Sequence, residues 1–216
     1  HTKAQVNRGF NLWPMILGTN DGDIVLKRKI LSVNYTRFTH TFAVSGLVTA
    51  TLGLLLKERI GEALAINDLT LGIATFTGII LAISWSGEVI SSSYIGRISD
   101  RFGRKPVLLL CLPIMTIGLI SLMIDNAFVP VLVVPMIFLA TTAGKVTLDA
   151  SAGDLSPEAD KAHVMSRYST WSDLGSASGP VAGYGLINIV GLNWIYIISS
   201  LLITSGVVLY LMANRS

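Results

Sequence analysis

The chain has 216 residues, of which 51% are hydrophobic and only 13% are charged, and its mean hydropathy is +0.64. A soluble domain carries about 25% charged residues, so this deficit indicates a membrane protein. The net charge of +3 does not indicate nucleic-acid binding, because the basic residues stand in connectors between apolar runs and form no basic stripe. The single cysteine, Cys111, lies inside an apolar run and is predicted to pack. We expect no cofactor and no metal site.

The first segment, residues 1–37, mixes polar, glycine and apolar residues without a sustained period. This pattern predicts a cytoplasmic leader or interdomain linker that lies at the membrane surface.

Six apolar runs follow, and each approaches or exceeds the roughly 20 residues that a helix needs to cross a bilayer. They predict an all-α membrane protein, with a six-helix transmembrane bundle over 38–212 and a short cytoplasmic tail at 213–216. The runs are 38–56, 71–95, 106–124, 128–150, 164–188 and 192–212.

The distribution of Lys and Arg predicts the orientation. If the leader is cytoplasmic, the opposite face receives only Lys57 and Arg59, and Glu58 and Glu62 accompany them. Both termini are therefore predicted to be cytoplasmic, in a multi-pass protein of the plasma or inner membrane.

The connector between the second and third runs reads GRISDRFGRK, residues 96–105. It resembles the signature loop of the major facilitator superfamily, in which glycines, an Asp, an aromatic residue and cations stand at fixed positions. The alternative is that its charges only follow the positive-inside rule. The matching residues are Gly96, Asp100, Arg101, Gly103, Arg104 and Lys105.

The resemblance implies that the six helices form one half of a twelve-helix fold. It also implies that Asp100 and Arg104 form a latch for the outward-open state with an acidic residue at the end of the fourth helix. Asp154 is the favoured partner, and Asp149 is the less favoured one. The glycines are expected to allow a tight turn and close helix approach.

Three predicted helices each carry a charge about 13 Å from their cytoplasmic end. These residues are Glu88, Lys145 and Asp173, and intramembrane charges of this kind usually have a functional or pairing reason. The alternatives are that Lys145 pairs with Asp149 one turn later, and that Glu88 is a satisfied polar residue between the halves.

The superfamily lines its central cavity with helices one, two, four and five, and the three charges stand on the second, fourth and fifth predicted helices. The resemblance therefore implies that the charged residues face this cavity, together with Thr39, His40 and Thr41 of helix one. Of the carboxylates, Asp173 is favoured over Glu88 as the proton carrier, because its helix also holds a Gly-Pro pair.

That pair belongs to the segment GSASGPVAGYG, in which Gly175, Gly179 and Gly183 recur every four residues. The spacing predicts a smooth face for helix packing, and Pro180 predicts a hinge. The segment is similar to one in the superfamily's drug–proton antiporters. The segment departs from that pattern because no glycine stands eight residues before Gly175. On the fourth helix, Lys145 stands where the family uses an Arg.

These features predict a secondary active transporter of a small solute, with alternating access, proton coupling and a preference for efflux. The leader favours the C-terminal bundle, whereas the complete signature loop is more typical of the family's first half, so the opposite assignment stays open. Either assignment requires a second six-helix bundle from missing sequence or another copy. An intramembrane serine protease with Ser178 as nucleophile is the enzymatic alternative, but the sixth helix has no His to act as its base. A transporter-like bundle that only senses or scaffolds is the third possibility.

Overall fold

The computed structural model describes residues 24–66 and 69–214. Six long helices dominate this part of the chain, and the prediction of an all-α, six-helix membrane bundle is confirmed. They are α1 (Ile24–Ile60), α2 (Ile73–Phe102), α3 (Arg104–Ser121), α4 (Phe128–Leu155), α5 (Lys161–Val190) and α6 (Leu192–Ala213).

Five of these helices are long and apolar enough to cross a membrane, and α5 is the exception among them. The first half of α5 carries Arg167, Asp173 and several serines, which lower its hydropathy. In a membrane, so polar a stretch requires either partners inside the bundle or contact with water.

Helix α1 begins well before the predicted boundary at residue 38. Residues 24–37, which the sequence assigns to the leader, form its first turns, and Val33, Asn34 and Thr36 are buried there. Residues 1–23 of the predicted leader and the last two residues of the predicted tail lie outside the described residues.

A short hairpin joins α1 to α2, where the sequence indicates a plain connector. Its strands are β1 (Ala63–Ile66) and β2 (Leu69–Gly72), paired antiparallel so that Ala63 lies opposite Gly72. The described part of the fold is therefore all-helical apart from this hairpin.

The helices pack as two three-helix units. Helix α1 packs against α5 and α6, and α4 packs in the corresponding way against α2 and α3, while α3 contacts α6. In chain order the helices form two repeats, α1–α3 and α4–α6, and the first helix of each repeat makes these corresponding contacts with the other repeat. Because each repeat has three helices, the second repeat crosses the membrane in the opposite sense to the first. This arrangement is the inverted repeat found within one half of the transporters that consist of two six-helix bundles.

Helix α1 occupies the centre of the bundle. Its residues Thr39, His40 and Thr41 lie about 100° apart around the helix and contact three different neighbours. An added Cβ at Gly206 of α6 would meet Thr39, one at Gly144 of α4 would meet His40, and one at Gly175 of α5 would meet Thr41.

The contact between α1 and α5 brings two backbones together. A Cβ at Gly179 would lie 2.6 Å from Gly46 Cα, Leu47 N and Phe42 O of α1, and one at Gly183 would lie 3.0 Å from Thr51. Opposite this stripe, residues Thr41–Val48 of α1 form a π-helical segment, a local widening that often marks functional sites. The glycine spacing thus produces the smooth packing face that the sequence predicts.

Gly179→Ala is expected to destabilise the bundle by about 1–3 kcal/mol, because its methyl group has only backbone atoms to displace. Gly185→Ala is the matched control, since Gly185 is on the same helix with open space around it and should gain about 0.5–1 kcal/mol. Denaturant titration followed by circular dichroism measures both. Equal stability of the two variants would contradict the interlocked contact.

Candidate functional site

A membrane-embedded ion pair joins α2 to α4. Lys145 Nζ lies 2.9 Å from Glu88 Oε1, and 18% and 26% of the two side chains are exposed. The alternative pairing of Lys145 with Asp149 is wrong, because Lys145 is directed to the neighbouring helix. Glu88 also lies farther from the end of its helix than predicted, since α2 continues to Phe102.

Asp149, one turn after Lys145, belongs to a second cluster between α1, α4 and α5. Arg37 Nη1 lies 3.5 Å from Asp149 Oδ1, and Tyr168 donates a hydrogen bond of 2.5 Å to the same oxygen. Arg37 Nε donates to Ser172 Oγ at 3.1 Å, and the guanidinium lies 5.4 Å from the centre of the Tyr168 ring. Arg37 is thereby held by three side chains from two helices.

Together the two ion pairs form what we call the charged belt, which runs from α2 across α4 to α1. Its two cations and two carboxylates alternate in sign, so that each charge has an opposite neighbour. The exposed half of the Asp149 side chain shows that the belt reaches the open surface of the bundle. The belt consists of Glu88, Lys145, Asp149 and Arg37.

Asp173 differs from the belt residues, although it lies on α5 one residue after Ser172. Its side chain is exposed and forms no ion pair or hydrogen bond with the rest of the described chain. Among the described residues it is therefore the membrane-embedded carboxylate without a cationic partner.

The residues Thr39, His40 and Thr41 do not face an open cavity. All three are buried, and His40 Nδ1 lies 2.9 Å from the carbonyl oxygen of Thr36. The predicted start of helix one at residue 38 would place them at the beginning of that helix. This prediction is wrong, because α1 begins fourteen residues earlier and the three residues lie in its middle.

The two tryptophans near the belt differ in their surroundings. Trp171 makes an edge contact with Phe38, with ring centres 6.0 Å apart, which is ordinary aromatic packing. Trp85 on α2 is half exposed and remains free to contact a solute.

The signature stretch is not a loop in the structure. Residues 96–102 are the last turns of α2, and Gly103 alone separates α2 from α3, with a φ of 88° that L-residues rarely adopt. Gly96 contacts α4 less closely than expected, because an added Cβ would lie 3.9 Å from Val146, an ordinary contact distance.

The charged residues of this stretch have separate partners. Arg104 forms an ion pair with Asp154 at the end of α4, and Lys105 donates to the Asn214 carbonyl after α6. Arg101 lies over the Phe102 ring at 5.5 Å. Asp100 is exposed and has no ion pair among the described residues.

The hinge residues lie in the middle of α5, which runs without a break through Pro180. Gly179 and Gly183 are buried against α1, whereas Pro180 is only partly buried. The hydroxyl of Ser178 donates to the Leu174 and Gly175 carbonyls of its own helix.

This architecture, an inverted pair of three-helix units with charged residues on α1, α2, α4 and α5, defines a multi-pass protein of the transporter type. The family model of the Major Facilitator Superfamily matches residues 39–216. The chain belongs to this superfamily.

Similar proteins include two bacterial relatives. The chain is 32% identical over 139 residues to the class E tetracycline resistance protein of Escherichia coli, a match that covers 64% of this chain and 32% of the relative. It is 30% identical over 148 residues to the class D protein of Salmonella ordonez, covering 68% and 34%. The chain spans about a third of the length of these relatives.

The sequence reasoning missed Arg37 and Tyr168. Arg37 follows a stretch without a sustained hydrophobic period and is therefore assigned to the leader. Tyr168 is not part of any motif in the sequence. A signal was present in the polar residues Ser32, Thr36 and Thr39, which follow helical spacing on both sides of Arg37.

Lys145→Met is expected to destabilise the bundle by about 3–5 kcal/mol, because it leaves the Glu88 carboxylate largely buried without a cation. The double variant with Glu88→Gln should recover most of this loss. Lys57→Met is the control, since the Lys57–Glu62 pair is exposed and should change stability by less than about 1 kcal/mol. A double-mutant cycle of unfolding free energies measures the coupling. Similar losses for the two Lys variants would contradict the proposed importance of the belt.

Proposed function

We propose that the chain is one six-helix bundle of a secondary active transporter that exports a small amphipathic solute by alternating access, in exchange for protons. The observation that supports it most directly is the charged belt across α1, α2 and α4, with the unpaired Asp173 of α5 beside it. Charges at membrane depth are costly unless they line a water-filled path or pair with one another.

The proposal assigns Asp173 the role of proton carrier. Glu88 and Asp149 each hold a cation, so protonating either one breaks an ion pair. Asp173 has no such pair among the described residues, and it can gain or lose a proton without disturbing the belt. Its position on the helix that packs tightly on α1 couples its charge to the contact between the two helices.

Export is favoured over uptake by the nature of the relatives. A membrane transporter confers resistance to a drug when it removes the drug from the cell, and the relatives are tetracycline resistance proteins. The Gly-Pro segment of α5 supports the same direction. The proposed solute is an amphipathic organic compound.

The latch in this proposal centres on the end of α2. Arg104 and Asp154 tie the start of α3 to the end of α4, and Lys105 ties it to the end of α6. Asp100 is exposed at this surface, where a residue of a second bundle can reach it. We propose that Asp100 completes the latch across the two bundles, with both chain ends in the cytoplasm.

One bundle does not enclose a solute, so the proposal requires a second bundle from another part of the protein or from another copy. The C-terminal bundle remains the assignment that we favour. A bundle that senses a solute without moving it would show binding and no flux.

Proteoliposomes with an imposed proton gradient test the coupling. Asp173→Asn is expected to lose proton-driven flux of a fluorescent amphipathic cation and to keep solute exchange at equilibrium, because exchange needs no net proton movement. Asp160→Asn, the same substitution at an exposed connector, is the control. Wild-type proton-driven flux in Asp173→Asn would overturn the assignment of the carrier.

Asp100→Asn in the same assay tests the latch. It is expected to reduce both driven flux and exchange while the protein still inserts and folds, since the substitution affects the alternation of states and not the proton site. Flux equal to that of Asp160→Asn would contradict the latch.

A further inference from the structure

A cavity of about 440 Å³ opens at the end of the bundle where α1 ends and α5 turns into α6. It lies at the C-terminal end of α1 and shares no lining residue with the charged belt. Its volume is within the range of about 300–1,000 Å³ that small-molecule sites occupy. The residues that matter here are Leu54, Glu58, Ile187, Asn188, Asn193 and Trp194.

The carboxylate of Glu58 is available in this cavity. The two neighbouring cations are engaged elsewhere, because Lys57 Nζ lies 2.7 Å from Glu62 Oε1 and Arg59 donates to backbone carbonyls just beyond the end of α3. Among the described residues, Glu58 forms no ion pair and no hydrogen bond. Within the same part of the chain, no Lys or Arg lines the cavity, so the formal charge of its lining is negative.

The other lining groups suit an organic cation. Trp194 is 60% exposed, and an indole face attracts an ammonium group more strongly than other aromatic rings do. The Asn188 and Asn193 side chains add carbonyl oxygens, which also favour a positive group. Leu54 and Ile187 provide an apolar wall for attached alkyl groups.

Trp194 is also where an interfacial tryptophan is expected, near the start of a transmembrane helix. Anchoring at the membrane surface would explain why a tryptophan stands at this position. It would not explain the unpaired carboxylate and the cavity beside the tryptophan. The combination of these three features favours a binding site.

We infer that this cavity binds an organic ammonium group, carried either by a free solute or by a lipid headgroup. Glu58 supplies the opposite charge, Trp194 the aromatic face, and the apolar wall contacts the substituents. The site is separate from the proposed proton pathway and does not depend on it.

Calorimetric titration of tetramethylammonium into the 216-residue chain in phosphatidylglycerol nanodiscs tests the inference, since this lipid has no ammonium group. The wild-type chain is expected to bind, and Glu58→Gln and Trp194→Leu should each weaken binding about fivefold or more. Asp125→Asn is the matched control, because it removes one negative charge from the same end of the bundle at an exposed residue outside the cavity and leaves the Lys57–Glu62 pair intact.

Repeating the titration in nanodiscs that contain phosphatidylcholine separates the two sources of the ammonium group. Weaker binding there supports a lipid headgroup as the occupant, and unchanged binding supports a free solute. Failure of the wild-type chain to bind, or equal weakening by Asp125→Asn and Glu58→Gln, would overturn the inference. Circular dichroism of each variant verifies that the bundle is folded.

Discussion

The structure depends on the rule that charged groups inside a membrane need partners. Helix α4 carries Lys145 and Asp149 one turn apart, and each reaches a different neighbour instead of the other. Lys145 fixes α2 through Glu88, and Asp149 fixes α1 and α5 through Arg37 and Tyr168. One turn of α4 therefore connects the two inverted three-helix units.

Helix α1 contacts α5 and α4 through different kinds of interaction. Towards α5, glycines bring two backbones together, and this contact has little freedom to move. Towards α4, Arg37 meets Asp149 at 3.5 Å, so the connection there is electrostatic. The α1–α5 interface is therefore closely interlocked, whereas the α1–α4 interface includes an ion pair.

The sequence predicts the number of helices and the family, because apolar length and the pattern around Asp100 and Gly103 are local properties. It also predicts the glycine face of α5, whose spacing is helical. It does not predict the partner of Lys145, since a pair within one helix and a pair across two helices look equally plausible without tertiary contacts. Arg37 is missed for the same reason, because its role is created by Asp149, Tyr168 and Ser172 on other helices.

The central claim is that the surface beside the belt lines a water-filled cavity. Cysteine labelling in proteoliposomes with a membrane-impermeant maleimide tests it most directly, in a Cys111→Ser background that removes the single native thiol. Ser176→Cys, three residues after Asp173, is expected to react, whereas Ile117→Cys should not, because it is 66% exposed on α3, an apolar helix that contributes no residue to the belt. Equal labelling at the two positions, or labelling at Ile117→Cys alone, would contradict the account.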